Sequence, residues 1–551
     1  MNFRKFLFIV LFFNIILLSS CEELFGTPIE NEIFGYVRNE EGPIQDAVVR
    51  IQATELFSIT NELGYFQITD QDYDHTVIVT AWSEGHYIGW VETAPASFPV
   101  VINLSKYSTA DNLNYNWSPD EGGLGSLGCA ECHPAYDEWL GDAHSQSAVN
   151  ERFLTMYAGT DVLGNQSPET EYGFNRDYGS YQLRPDKNLP YYGPGYKLDF
   201  PESAGNCSAC HVPAQAAYPG KEYTSDPNQA EGIEEEGIFC NFCHKIGEVK
   251  LDPQTDLPQP NMPGVLSIQL YRPPDNGEEL FLGNFDDVIG PDSYSSIYEQ
   301  SAYCAPCHSA TFWDETVYNS YGEWVESAYN DPKDGQTCQE CHMPAVDYKY
   351  FVYPDQGGVQ RDPQKISNHN MTGYMEDTLM ENAVTLSADV EIVENQLGLT
   401  VSVVNDQTGH AVPTGHPLRQ VILLVETRDN TDQILDLVEG STIPFYGGVG
   451  DPARGYYAGQ PGKIYMKVLQ EIWTEVYPSG AYWNPTRLLS DNRLKPFIAD
   501  HSSFSFELAD AESVNITVRL LFRRATKELM DRKGWDVPDI LMEEVKFSLD
   551  V

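Results

Sequence analysis

The sequence predicts a multidomain fold: an N-terminal β sandwich, a central domain of short helices and long loops, and a C-terminal antiparallel β sandwich. Three observations predict it. The 551 residues amount to several domains at about 150 residues each. Alternation of apolar and polar residues is confined to two stretches, one before residue 106 and one after residue 384. Between them, ten of the eleven cysteines fall into five repeats of C-x-x-C-H. Composition is otherwise that of a globular protein, 41% hydrophobic and 21% charged, which argues against a disordered acidic tail. The net charge of −49, from 33 basic and 82 acidic side chains, excludes nucleic acid as a default partner, because a polyanion would be repelled.

The chain opens with basic Arg4 and Lys5, followed by an apolar run from Phe6 to Leu18 interrupted only by Asn14. That run is too short to span a bilayer comfortably and has the length of a secretory signal. Leu18-Ser19-Ser20-Cys21 follows it and resembles the lipobox of bacterial lipoproteins. The resemblance implies that residues 1–20 are removed and that Cys21 is lipidated, which anchors the protein to a membrane without spanning it. Loss of Arg4 and Lys5 takes the net charge from −49 to −51. An exported lipoprotein at the outer membrane is expected, with its face left open by Glu22 and Glu23. Residues 21–30 read as a linker.

Residues 31–106 form the first β unit, with strands expected in EIFGYVR, AVVRIQ, YFQIT, HTVIVTAW and FPVVINL between Gly, Pro, Asn and Asp turns. The segments FGYVRNEEGPIQDAVVRI and TNELGYFQIT resemble the carboxypeptidase regulatory-like domain, with Gly35, Gly42, Pro43, Ala47, Gly64 and Phe66 in the matching places. The resemblance implies a spacer or interaction module without catalytic residues.

Residues 107–383 hold the motifs: Cys129, Cys132 and His133; Cys207, Cys210 and His211; Cys240, Cys243 and His244; Cys304, Cys307 and His308; Cys338, Cys341 and His342. Composition alone would yield roughly 0.005 such motifs, so five are not accidental. Two thiols at this spacing add across the two vinyl groups of a haem, and the adjacent histidine becomes the proximal ligand of the iron. Paired C-x-x-C elements also build zinc sites, but zinc gives no reason for a histidine after every second cysteine. Five covalently attached haem c groups follow. With Cys21 they account for all eleven cysteines and leave none for a disulfide. Glu236-Gly237 and Asp334-Gly335 stand at one offset before the third and fifth motifs, which suggests a duplicated two-haem unit. With porphyrins as its core, this domain needs little regular structure.

Seven histidines remain for the sixth iron position: His75, His86, His144, His369, His410, His416 and His501. The segment CAECHPAYDEWLGDAHSQSA resembles the opening of multihaem cytochromes related to the tetrahaem cytochrome c of ammonia oxidisers. That resemblance carries a distal ligand onto His144, behind Tyr136 and Trp139. SNHNMTG and TGHAVPTGHPLRQ resemble later segments of multihaem cytochromes and imply His369 and His410 as further distal ligands. His416 is either another ligand or a hydrogen-bond donor to a propionate. His501 reads as an ordinary surface or core residue, and Met343 and Met371 are the nearest methionine candidates.

From 384 to 551, VTLSADVEIV, LGLTVSVVN, RQVILLVETR, KIYMKVLQEI, FSFEL and VNITVRLLFRR read as an antiparallel sandwich, and TKELMDRKGW as a short helix or turn. The expected function is electron transfer along closely packed haems between redox partner proteins of the cell envelope. The alternative is a reductase or oxidase of a small nitrogen or sulfur species at a five-coordinate haem, as in the related pentahaem nitrite reductases and octahaem hydroxylamine oxidoreductases. The C-x-x-C-K flag of the pentahaem nitrite reductases is absent, since all five motifs end in histidine.

Overall fold

The computed structural model describes residues 32–551 apart from 70–74, 96–97, 118–124, 178, 184, 222, 276–277, 372, 374–376 and 510. The leader and Cys21 lie outside the described residues. Among these, strands dominate, arranged in several sheets, and helices are short; the longest α-helix is Glu151–Ala158. The described residues divide into two compact units, one of residues 32–115, 270–298 and 359–361 and the other of 116–269, 299–358 and 362–551.

In the first unit, Glu32–Asn39 pairs antiparallel with Tyr65–Thr69 and parallel with Val100–Asn103. A second sheet places Val48–Ile51 between Phe57–Ile59 and Val77–Trp82, with Gly89–Thr93 beyond. Alternation points Phe66 and Ile68 inward from Tyr65–Thr69. They meet Val37 and Ile102 of their own sheet and Val49, Val79 and Ala81 of the other in one buried cluster. Gly35 permits the parallel pairing, because a Cβ there would stand 2.0 Å from the Val100 carbonyl oxygen.

The stretch 270–298, expected within the central domain, packs in this unit instead. Arg50 forks onto Asp286 at 2.8 and 3.0 Å. The neighbouring Asp287 accepts from Ala53 N–H at 2.7 Å and pairs with buried Arg361. These partners lie more than 70 residues apart in sequence, and nothing local in the chain announces them.

In the second unit, residues 385–550 build two four-stranded antiparallel sheets. One runs Thr385–Val393, Gln396–Val404, Ala499–Glu507, Leu437–Glu439; the other runs Gly462–Tyr465, Gln420–Asp429, Ser513–Arg523, Ile540–Asp550. Leu399, Val401 and Phe504 of the first share a core with Val421, Leu423, Ile516 and Val518 of the second. Gln420–Asp429 is apolar on both faces, since Ile422 and Leu424 turn outward into a second cluster with Ile464, Met466 and Val468. The expected strand KIYMKVLQEI is interrupted: Gly462–Tyr465 stays in this sheet, while Lys467–Glu471 forms a separate two-stranded sheet with Thr486–Asp491. The tail forms a helix, Lys527–Lys533, closed by Gly534 at φ 73°.

Two buried cations join this β region to its surroundings. Lys533 is fully buried and donates to the carbonyls of Thr155, Thr160 and Pro194 at 2.9, 2.9 and 2.6 Å, which ties the tail helix to the loops around Glu151–Ala158. Arg523, equally buried, forks onto Asp539 and donates to the carbonyls of Gly447 and Gly455. Arg523→Ala leaves the Asp539 carboxylate without its counter-charge, and the expected loss is about 3–5 kcal/mol. The measurement is a lower urea midpoint at an unchanged m-value.

Candidate functional site

All five motifs lie in the second unit, four on single α-helical turns and the first at the end of a 3₁₀ turn. The backbone N–H of the motif histidine bonds to the carbonyl of the first cysteine in His133, His211 and His244, at 2.9, 3.1 and 3.0 Å. A closed turn of this kind puts two cysteines three residues apart on one face, as attachment to one porphyrin edge requires. None of the ten motif cysteines is in a disulfide. The fifth turn, Cys338–His342, starts with a capping box between Thr337 and Glu340. The glycines that precede the third and fifth motifs do different work. Gly237 has φ 65°, and a Cβ would meet Ser147 Oγ at 2.2 Å, whereas Gly335 lies against the Tyr329 carbonyl without a positive φ.

Thiols of different motifs meet. Cys129 lies within hydrogen-bonding reach of Cys240, Cys210 of Cys307, and Cys304 of Cys338. Cys243 also neighbours Cys307. The attachment points therefore form one connected set in which the fourth motif touches or neighbours the second, third and fifth.

Histidines also meet in pairs. His144 faces His308 with ring centroids 6.1 Å apart, His369 faces His244 at 6.5 Å, and His410 faces His342 at 6.2 Å. A metal bound at about 2 Å by each of two imidazole nitrogens, each roughly 1 Å from its ring centre, separates the rings by about 6 Å. In each pair one member is a motif histidine and the other comes from a distant segment. The Nδ1 atoms on the distant side are already engaged: His144 with Asp142 Oδ1 at 2.6 Å, His369 with the Ser367 carbonyl at 3.0 Å and His410 with the Ala411 carbonyl at 3.1 Å. Among motif histidines, His133 and His211 use Nδ1 in the same way, toward the carbonyls of Phe351 and Ser147. An Nδ1–H given to an acceptor leaves Nε2 with a lone pair for iron. Desolvation holds His133, His369 and His410 below the usual imidazole range and pushes His211 down to about 4 and His308 down to about 3. Thiols, imidazoles and spacing fit haem c.

No family model matches the chain, and no curated protein matches it. A solved structure does. The chain is similar to a penta-heme cytochrome c552 from Thermochromatium tepidum, with a TM-score of 0.52 and 16% identity, covering 78% of this chain and 99% of that one. It has the fold of a multihaem cytochrome c over that length. A match to a chain of a type II cohesin–X-dockerin complex from Acetivibrio cellulolyticus is local, with a TM-score of 0.13 at 15% identity over 14% of this chain and 58% of that one.

His416 departs from the expected ligand geometry. Its Nδ1 accepts the Leu418 backbone N–H at 3.2 Å, the reverse of the other distal candidates. Burial, then Arg419 and His211, push its pKa down to about 3, so the ring is neutral and its one proton sits on Nε2. That tautomer donates a hydrogen bond from Nε2 and offers no lone pair to iron there. Aromatic rings lie against the first two motif histidines: Phe351 is 6.2 Å from His133, and Phe153 stacks on His211 at 3.7 Å. His501 is exposed on the strand Ala499–Glu507, and His86 bonds Asn39 in the other unit. Met343 caps the fifth motif's helix.

Trp139, carried over by resemblance, is buried and donates from Nε1 to the Ile238 carbonyl at 2.8 Å, joining the helix Ala135–Leu140 that follows the first motif to the lead-in of the third motif. Sequence reasoning missed the carboxylates around the distal histidines. Glu138 accepts the His369 N–H at 2.8 Å and the Tyr348 hydroxyl at 2.9 Å, and Glu323 accepts the Ala411 N–H at 3.1 Å and pairs with Arg493. The spacing of Asp142 and His144 was the one local signal available.

Proposed function

We propose that the chain is an exported, lipid-anchored pentahaem c-type cytochrome that passes electrons along covalently bound haems between redox partners of the cell envelope. The observation that carries this reading is the set of three facing histidine pairs at metal-bridging spacing, each built on a C-x-x-C-H turn. The thiols of each motif would hold one haem c, and the iron would carry the electron. Contacts between motif cysteines would bring the attachment edges of successive porphyrins together and would give a continuous route from the first motif through the third and fourth to the fifth, with the second joined at the fourth.

The two-sheet assemblies at either end would be β sandwiches, the N-terminal one a carboxypeptidase regulatory-like spacer. Cys21 would carry the lipid and hold the protein at the outer membrane, and the net charge of −51 left after loss of Arg4 and Lys5 suits a basic redox partner. Intact mass together with the pyridine haemochrome spectrum of the purified holoprotein tests this: five haem additions are expected, and three or fewer would overturn it. Fractionation of Cys21→Ser should move the protein from the membrane to the soluble fraction.

The tautomer of His416 favours a second reading, an enzyme acting at the haem of Cys207 and Cys210. The ring N–H of His416, which neighbours both His211 and the Arg419 cation, suits an anionic or diatomic ligand better than a closed coordination sphere. Cyanide or nitrite binding to a high-spin fraction would support this reading, and a holoprotein with only low-spin iron would remove it.

A further inference from the structure

We propose that Asp142 is a positioning residue that lowers the redox potential of the haem held between His144 and His308. The inference rests on the reading of the chain as a multihaem cytochrome. Among the five ligand candidates whose Nδ1 partner is identified above, four give that hydrogen to a neutral backbone carbonyl, at 3.0 to 3.2 Å. His144 alone gives it to a carboxylate, at 2.6 Å. The Asp142 side chain is 5% exposed, so water does little to screen its charge.

A carboxylate draws the imidazole proton toward itself and makes Nε2 a stronger electron donor. A stronger donor favours ferric over ferrous iron, and the potential falls. The other two carboxylates act differently. Glu138 and Glu323 bond backbone N–H groups, those of His369 and Ala411, and so hold the ligand loops without touching an imidazole nitrogen at hydrogen-bond distance; Glu138 is 4.0 Å from His369 Nδ1. Arg419 opposes Asp142, since its charge reaches His308.

Location gives the effect its consequence. The fourth motif neighbours the second, third and fifth through its thiols, so its haem is the junction of the set. A lowered potential there makes passage between the two sides of the junction an uphill step. The competing account is purely structural, because Asp142 also accepts the backbone N–H of His144 at 2.8 Å and so shapes the loop after Ala135–Leu140.

The two accounts separate in a redox titration of full-length holoprotein followed optically and by EPR. Asp142→Asn keeps an acceptor oxygen and removes the charge. One of the five midpoints should rise, with haem content and the low-spin signals unchanged, and Asp142→Glu should bring that midpoint back toward the wild-type value. Glu138→Gln should give a smaller shift. An unchanged set of midpoints in Asp142→Asn overturns the proposal, and so does conversion of one haem to high spin, which would make Asp142 a support for the loop only. A wild-type protein that carries no haem at the fourth motif would instead defeat the reading on which the inference rests.

Discussion

Replacing both Cys304 and Cys307 with serine is expected to remove more than one haem and most of the soluble protein. The same change at Cys338 and Cys341 is expected to remove one haem and leave the fold standing. The difference follows from position. Cys304 and Cys307 flank Ala305 and Pro306, both buried, and the two thiols lie against Cys338 and Cys210. His308 faces His144, a residue carried by the segment that follows the first motif. A haem missing there would withdraw the surface on which the other attachment turns pack, and among the described residues no helix in this region is long enough to hold the space open. Such a loss well exceeds the few kcal/mol of an ordinary substitution and approaches the whole stability of a domain, about 5–15 kcal/mol. The fifth motif is peripheral, with Cys341 exposed and its turn capped by its own Thr337 and Glu340. Haem content per chain and soluble yield, measured on both double variants, check the contrast; equal effects would mean that the fourth motif is not the junction.

The motifs and the β segments were legible in the sequence because their signals are local. Two thiols and a histidine within five residues declare an attachment turn, and a period of two declares a half-buried strand, as in Gln396–Val404 with Leu397, Leu399, Val401 and Val403 inside. What was not legible depends on residues that meet only after folding. The pairing of His144 with the fourth motif, not the first, spans more than 160 residues and leaves no trace in spacing. The packing of 270–298 against Arg50 and Arg361 is of the same kind. His416 illustrates a further limit: it lies six residues after His410 in a similar Gly-His setting, and what distinguishes the two, the hydrogen bond from Leu418 N–H and the facing of His410 and His342, exists only in the folded chain. A strand read as continuous, KIYMKVLQEI, divides between two sheets although its hydropathy does not change at Met466.

His369→Ala and His416→Ala should therefore have opposite spectroscopic outcomes. His369 faces His244 at 6.5 Å, its Nδ1 is engaged by the Ser367 carbonyl, and its backbone N–H is gripped by Glu138. The loop is thus held independently of the ring, so truncation to alanine removes the sixth ligand without releasing the segment. One haem should pass from low to high spin, with the number of bis-histidine signals falling from three to two. Added imidazole should restore it by occupying the vacated position. Stability should drop by about 1–3 kcal/mol, the range for a buried side chain that leaves a cavity and an unmet polar group. His416→Ala removes an Nε2 proton donor and no iron ligand, so the low-spin count should stay as in the wild type, while any ligand binding at the haem of Cys207 and Cys210 should weaken. If His416→Ala converts a haem to high spin, the hydrogen bond from Leu418 does not fix the tautomer in the holoprotein, and His416 returns to the ligand set with His144, His369 and His410. If His369→Ala leaves the spectrum unchanged, the facing of His369 and His244 does not reflect ligation, and the spacing argument for the other two pairs weakens with it.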